Sequence, residues 1–277
     1  MLKRLLLTCL TLVGVVFLSG AQPYEYPPDM REIAKRGKLV VAMCAQDRPP
    51  FVVTGADGTL SGMDVELARS IGDRLGVPTE IDRSAATYDE VINRVAKGNA
   101  DIGISLLSAT TERARRVLFT EPYLYVCPSL LVNRRKEIDL KRKAAGKDWL
   151  HGPGVSIGVM RGSSYEEFVR EFFPSAQITT YNRWKVLNGA VLRGDVTAVL
   201  QSGAVLCNMI MDEPAIYLTH RLIRIEGKED RFACALPATS IYFLTWVNLL
   251  LAQRENLSHR PLEEVMIRNW NNTGAVR

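Results

Sequence analysis

Arg113 is the side chain on which the chemistry legible in this sequence turns. It closes the run Ser108-Ala109-Thr110-Thr111-Glu112-Arg113, in which Thr110 has the chemistry of a cap for a helical turn beginning just before the arginine. A guanidinium is a planar fork that matches a carboxylate, and the free amides of a helix start add further donors for an anion. A second turn of this kind lies downstream. Ser163-Ser164-Tyr165-Glu166 has capping-box spacing, which explains its serines by helix initiation and still leaves amides directed outward. Arg161 stands immediately upstream of that turn, free to face either a cleft or solvent.

Catalytic groups are harder to find. The three histidines, His151, His220 and His259, are scattered, with no His/Cys/Glu spacing of a zinc site. Asp89-Glu90 and Glu166-Glu167 are adjacent pairs on predicted helices, so the members of each pair face different directions and read as solvated surface. General acid–base chemistry needs a positioned acid or base, and none stands out. Taken alone, Arg113 reads equally as a surface arginine in a helical turn, and neither metal nor cofactor is expected.

The elements that must hold these residues alternate. The apolar run 39–44 reads as a buried strand after a short helix over 30–35. Leu67, Ala68, Ile71 and Leu75 mark one face of a helix over 64–75 that ends at Gly76. Tyr88, Val91, Ile92 and Val95 mark another, and 100–106 reads as a strand. The pattern restarts with strand 155–160, helix 165–173, strand 178–180, helix 184–192 and strand 196–200. Two α/β units in series, without a repeat or a low-complexity linker, predict two lobes with mostly parallel sheets. The last stretches, 240–252 and 262–270, read as helices that must pack on something already built.

Composition bounds the rest. The chain has 277 residues, 47% of them hydrophobic, and a formal net charge of +5. Lys3 and Arg4, the apolar stretch 5–18 and the small residues Ser19-Gly20-Ala21 have the form of a secretory signal peptide over 1–21. A retained anchor is the alternative, but the stretch is short for a membrane span. Removing the leader leaves a mildly basic chain, too mild to imply nucleic acid. Arg134-Arg135-Lys136 and Lys141-Arg142-Lys143 read as solvated surface. No cysteine stands at the junction, so lipid anchoring is not expected. Cys44, Cys127, Cys207 and Cys234 remain; buried thiols and any of three disulfide pairings stay open.

Gly62-Met63-Asp64-Val65-Glu66-Leu67-Ala68, Pro49-Pro50-Phe51, Asp101 through Arg113, Phe119-Thr120-Glu121-Pro122-Tyr123 and Val159-Met160-Arg161-Gly162-Ser163-Ser164 occur in that spatial logic and spacing along nearly the whole mature chain. Together they resemble the bacterial extracellular solute-binding proteins of the polar amino-acid class (family 3), the periplasmic components of ABC-type importers. The resemblance implies an α/β, two-lobed periplasmic-binding-protein-like fold (type II), with lobes joined by two crossover strands. Lobe 1 would comprise 22–126 plus 236–277 and lobe 2 would comprise 127–235, with crossovers near 127–132 and 231–235. It implies a periplasmic monomer that binds a small carboxylate-bearing solute, an amino acid or organic acid, and delivers it to a membrane permease. A ligand sensor, or a dehydratase-like enzyme on the same scaffold, is the alternative.

By the same resemblance Arg113 holds the ligand carboxylate, and Ser105, Leu106 and Ser108 supply strand-end contacts. Tyr88 provides an aromatic wall, and Ser163, Ser164 and Arg161 contribute from the second lobe. Three positions depart from the family. Ser202 stands where an ammonium-pairing Asp is usual, Arg48 where an aromatic is usual, and Ala45 where an acid is usual. A pocket that loses acids and gains a cation suits two carboxylates, or a carboxylate without an amine, better than an ordinary α-amino acid.

Overall fold

The computed structural model describes residues 26–253. The leader and the helix expected over 262–270 lie outside the described residues. Leu39–Cys44 is covered on both faces, as its unbroken apolar run requires, and forms an inner strand of a five-stranded sheet. That sheet runs in the order Thr79–Ala85, Leu39–Cys44, Ile102–Gly103, Ala235–Pro237, Val117–Phe119. The first three strands are parallel and Ala235–Pro237 is antiparallel to both of its neighbours.

A second sheet repeats the arrangement. Its order is Gln177–Tyr181, Ser156–Met160, Ala198–Ser202, Pro128–Asn133, His220–Arg224, with the first three parallel and Pro128–Asn133 antiparallel to its neighbours. The helices Met63–Leu75 and Tyr88–Ala96 serve the first sheet; Tyr165–Phe172 and Trp184–Arg193 serve the second. Each turns its apolar stripe inward. Val65, Ile71, Val91, Ile92 and Val95 have no exposed surface, and burying side chains of this size contributes about 1.5–3 kcal/mol apiece.

The connection between the lobes differs from the expectation. Leu124–Val126 pairs antiparallel with Asp230–Phe232 as a separate two-stranded ribbon, with Asp230 opposite Val126 and Phe232 opposite Leu124. The residues expected as the first crossover, 127–132, mostly form Pro128–Asn133, an inner strand of the second sheet. Both segments are apolar runs, so hydrophobicity alone does not separate the bridging one from the buried one. The strand expected over 100–106 shortens to Ile102–Gly103, because the chain turns at Leu106, whose φ is 51°.

Three helices were not anticipated, the shortest being Ile216–Thr219. Arg134–Ala144 collects both basic runs on one nearly all-polar helix, capped by Asn133, whose side chain accepts from Lys136 N. Its buried Glu137 accepts from Lys141 at 2.8 Å and Arg221 at 3.0 Å. Gly203–Asp212 opens with five small or apolar residues, Gly203 to Cys207, all of them buried, which show no helical period. Helix Ile241–Gln253 follows the return strand Ala235–Pro237 and packs against Pro28–Arg36. Cys44, Cys127, Cys207 and Cys234 are all buried thiols.

Candidate ligand-binding cleft

Arg113 opens a short 3-10 turn, Arg113–Arg115, and its backbone N–H donates to Thr110 Oγ1 at 3.3 Å, as the capping chemistry predicts. The side chain is 5% exposed. Nε faces Asp89 Oδ1 at 3.3 Å, Nη1 donates to Ser108 O at 3.3 Å, and Nη2 donates to Gly162 O at 3.4 Å. The last of these crosses from one lobe to the other. All three are long for a charge-assisted bond, so the fork retains capacity for a better acceptor.

Ser108 is the second point where the lobes meet. Its hydroxyl donates to Asp230 Oδ2 at 2.9 Å and lies 2.8 Å from Ser164 Oγ, which is left to donate to it. Leu106 presents its backbone from a left-handed conformation. Its N–H donates to Asp64 Oδ2 at 3.0 Å, and Tyr123 OH donates to Asp64 Oδ1 at 2.9 Å. Asp64 thus ties the start of its helix to the bend that shapes the cleft. Met63 N and Asp64 N in turn donate to the Pro50 and Phe51 carbonyls.

Burial raises the Asp64 carboxyl to about 7, against the hydrogen bonds from Tyr123 and Leu106 that lower it. The folded chain therefore holds a proton that the unfolded chain has released between the ordinary value of 3.8 and about 7. Unfolding free energy contributed by this group is full below that window and is lost as pH rises through it. Urea unfolding at a series of pH values is expected to show this fall, and Asp64→Asn is expected to flatten it. An unchanged slope in the variant would contradict the assignment.

A second cation lines the same cleft as Arg113. Arg48 stacks its guanidinium 3.2 Å from the Trp184 ring centroid, and Tyr88 lies beside that ring at 6.3 Å. Nη2 of Arg48 donates to Gln201 Oε1. The cleft is lined by Arg48, Tyr88, Leu106, Ser108, Arg113, Ser163, Ser164 and Ser202, together with Tyr165, Trp184, Val205 and Phe232. With the lobes this close, the space remaining is about 20 Å³, room for a single water-sized group.

Two expected residues stand elsewhere. Ser105 Oγ accepts from Cys44 N at 3.0 Å and supports the strand end from behind. Arg161 is exposed and donates to Asn182 Oδ1 and Thr180 Oγ1, bordering a neighbouring cavity with Cys44, Gln46 and Trp184. Ser163 lines the cleft but does not form the capping box. Its hydroxyl donates to Met160 O at 2.7 Å, and Glu166 instead accepts from Gly162 N at 2.7 Å. The helix begins one residue later than the box requires, with Ser164 as its cap position.

No acid is among the residues that line the cleft, but Asp230, from the bridging ribbon, stands half-buried behind Ser108; burial pushes its carboxyl up, while the Ser108 hydroxyl and the Arg113 charge pull it down. Asp47 and Asp195 take no part, being paired with Arg83 and Arg193. Sequence reasoning also missed Trp184 and Gln201. Gln201 precedes Ser202 on a recognised strand, and strand-end position was the available signal for it.

Two α/β lobes of matching sheet order, bridged by two strands and presenting polar strand ends to each other across a cleft, define the type II periplasmic-binding-protein fold. Residues 39–257 match the model of the bacterial extracellular solute-binding proteins, family 3. The chain belongs to that family. It is 28% identical over 172 residues to the L-cystine-binding protein of Escherichia coli strain K12, a match covering 61% of each chain. It is 32% identical over 167 residues to membrane-bound lytic murein transglycosylase F of Maricaulis maris, covering 57% of this chain and 34% of that protein. The matches thus span less than two thirds of these relatives. Among solved structures, an ancestral amino acid-binding protein described as a precursor of cyclohexadienyl dehydratase superposes with a TM-score of 0.69 at 26% identity. That match covers 87% of this chain and 98% of the other. A binding component of an ABC transporter from Wolinella succinogenes, complexed with lysine, also has a TM-score of 0.69, at 25% identity and 79% and 90% coverage.

Proposed function

We propose that the mature protein captures a small carboxylate-bearing solute, an amino acid or organic acid, between its lobes in the periplasm. It then delivers that solute to the permease of an ABC-type importer. The observation that carries this reading is the convergence of polar groups from both lobes on one small space: the Arg113 fork and the Ser108 hydroxyl from the first, the Ser164 hydroxyl from the second. A carboxylate there replaces the long bonds of Arg113 with short charge-assisted ones. Leu106, Ser108 and Ser164 orient it, and Tyr88 and Trp184 cover its apolar part. Ser105 and Arg161 act from outside the contact surface.

Binding without turnover suits this cleft. Asp230 is engaged by Ser108 and Asp89 by Arg113, and no histidine or carboxylate pair lines the space among the described residues. Family relatives named for cystine, glutamine and arginine binding support an amino-acid-sized solute.

The pair Leu124–Val126 and Asp230–Phe232 acts as the hinge, with the described residues 26–123 and 233–253 on one side and 127–229 on the other. A closed cleft confines the Arg48 charge away from water, which disfavours closure without a solute. Solute entry supplies the counter-charge that Arg48 lacks, and the lobes then close around it. Small-angle scattering is expected to give a smaller radius of gyration at saturating concentrations of the tightest carboxylate solute. An unchanged radius in a saturated sample would contradict closure.

A further inference from the structure

Arg48 is a buried cation that none of the described residues neutralises. Its side chain is 7% exposed on the cleft wall. The ionisable groups that face it, Tyr88, Tyr165 and Cys44, are neutral at physiological pH, and burial raises all three further. One face of the guanidinium is covered by Trp184. Gln201 accepts from Nη2, and its own amide donates to Asn188 Oδ1 at 2.7 Å, which fixes the orientation of that neutral acceptor. Nε has no partner. The guanidinium is thus held rigidly by groups that leave one edge donor open and its charge uncompensated.

Ser202 provides a second, independent signal. It is 3% exposed, lines the same cleft, and its hydroxyl has no partner. It occupies the N-cap position of Gly203–Asp212 without making the side-chain cap bond. The first turn of that 10-residue helix, represented in the cleft by Val205, brings the positive end of the helix dipole and, beyond Gly203 N, which donates to Cys127 O at 2.8 Å, amides that lack intrahelical acceptors. Arginine Nε and backbone amides can only donate, and the serine hydroxyl can donate as well. Buried polar groups are almost always paired, and a buried charge is costly until a counter-charge meets it. These groups share a need for one anionic acceptor.

We propose that Arg48, Ser202 and the N terminus of Gly203–Asp212 form a second anion subsite, distinct from Arg113, and that the solute is a dicarboxylate whose distal carboxylate is held there. The inference rests on the solute-binding reading above and specifies its substrate class. Ser202 in place of an acid and Arg48 in place of an aromatic then act together: one removes a partner for a cation, and the other supplies a partner for an anion. Asp230 stays on the Ser108 side, where it is already hydrogen-bonded.

Titration calorimetry on the mature chain tests this with matched probes: aspartate against asparagine, glutamate against glutamine, succinate against succinamate, and lysine as a cation. At least one dicarboxylate is expected to bind about tenfold or more tightly than its amide partner and than lysine. In Arg48→Met that ratio is expected to fall to within about threefold of unity, and Ser202→Ala is expected to narrow it. Thermal melting of Arg48→Met reports whether it folds, and the wild-type ratio stands independently of that variant. Equal or tighter binding of the amides or lysine by the wild-type protein would overturn the subsite, as would an undiminished ratio in folded Arg48→Met. Absence of binding by every probe would overturn it too. Binding of amides or lysine that is lost in Arg113→Ala would remove the dicarboxylate assignment alone. Binding that survives Arg113→Ala would remove the parent reading.

Discussion

Arg113→Ala is expected to weaken solute binding by about 2–5 kcal/mol, roughly thirtyfold to several thousandfold, while leaving the melting temperature nearly unchanged. The asymmetry follows from what the guanidinium touches. In the absence of solute its bonds to Asp89, Ser108 O and Gly162 O are all 3.3–3.4 Å long. Asp89 has a half-exposed side chain and is solvated again once the arginine is gone. A bound carboxylate has no such recourse. It lies in a closed cleft away from water, and truncation leaves it without its charged partner. Arg113→Lys keeps the charge but loses the planar fork, so an intermediate loss is expected. Calorimetric titration of the three proteins with one solute decides the matter. Wild-type affinity in Arg113→Ala would mean that the carboxylate site is elsewhere.

Gly62→Ala is expected to destabilise the fold by more than about 3 kcal/mol, or to prevent folding. Gly62 has a φ of 110°, and an added Cβ would overlap Phe51 O while lying 2.6 Å from Phe51 C and 2.8 Å from Pro50 O. These are backbone atoms, so no side-chain rotation relieves the overlap. They cannot retreat freely either, because the same two carbonyls accept from Met63 N at 3.2 Å and Asp64 N at 3.1 Å, and Phe51 is fully buried. Any shift is carried through Asp64 to Leu106 and thus to the cleft. Gly58→Ala is the control. Its φ of 81° is also unfavourable to alanine, but the added Cβ meets nothing within 4 Å, so a loss of only about 1–2 kcal/mol is expected. Urea unfolding of both variants is the measurement, and equal losses would contradict the steric argument.

What could be read from the sequence was what is local along the chain. The helices Met63–Leu75 and Tyr88–Ala96 carry their apolar period openly, and Leu39–Cys44 is an uninterrupted apolar run between turn signals. Arg113, Ser108 and Ser164 lie in ordered motifs, and the cleft gathers them. What could not be read depends on closure in space. Asp230 reaches Ser108 across 122 positions, and Gln201 reaches Arg48 across 153; no periodicity encodes such pairs. Arg48 and Ser202 were conspicuous as departures from a family pattern, but only the structure shows both with unpartnered buried atoms on one surface. Gly203–Asp212 escaped notice because its first five residues are small or apolar and all buried, so that stretch has no polar position to betray its period. Ser163 shows the converse: its spacing satisfied the capping-box rule, yet its hydroxyl bonds backward to Met160 O.

The account's central claim is that a solute carboxylate is held between the lobes. Its most direct test is a thermal-shift screen of the mature chain against amino acids and small organic acids, each paired with its methyl ester. A ligand that binds only the folded form at a hundredfold excess over Kd adds about 2.7 kcal/mol, which raises Tm by several degrees in a domain of this size. At least one free acid is expected to produce such a shift, and its ester, with the carboxylate charge removed, is expected to produce little or none. A screen that leaves Tm unmoved, or one in which acid and ester stabilise equally, would contradict the claim.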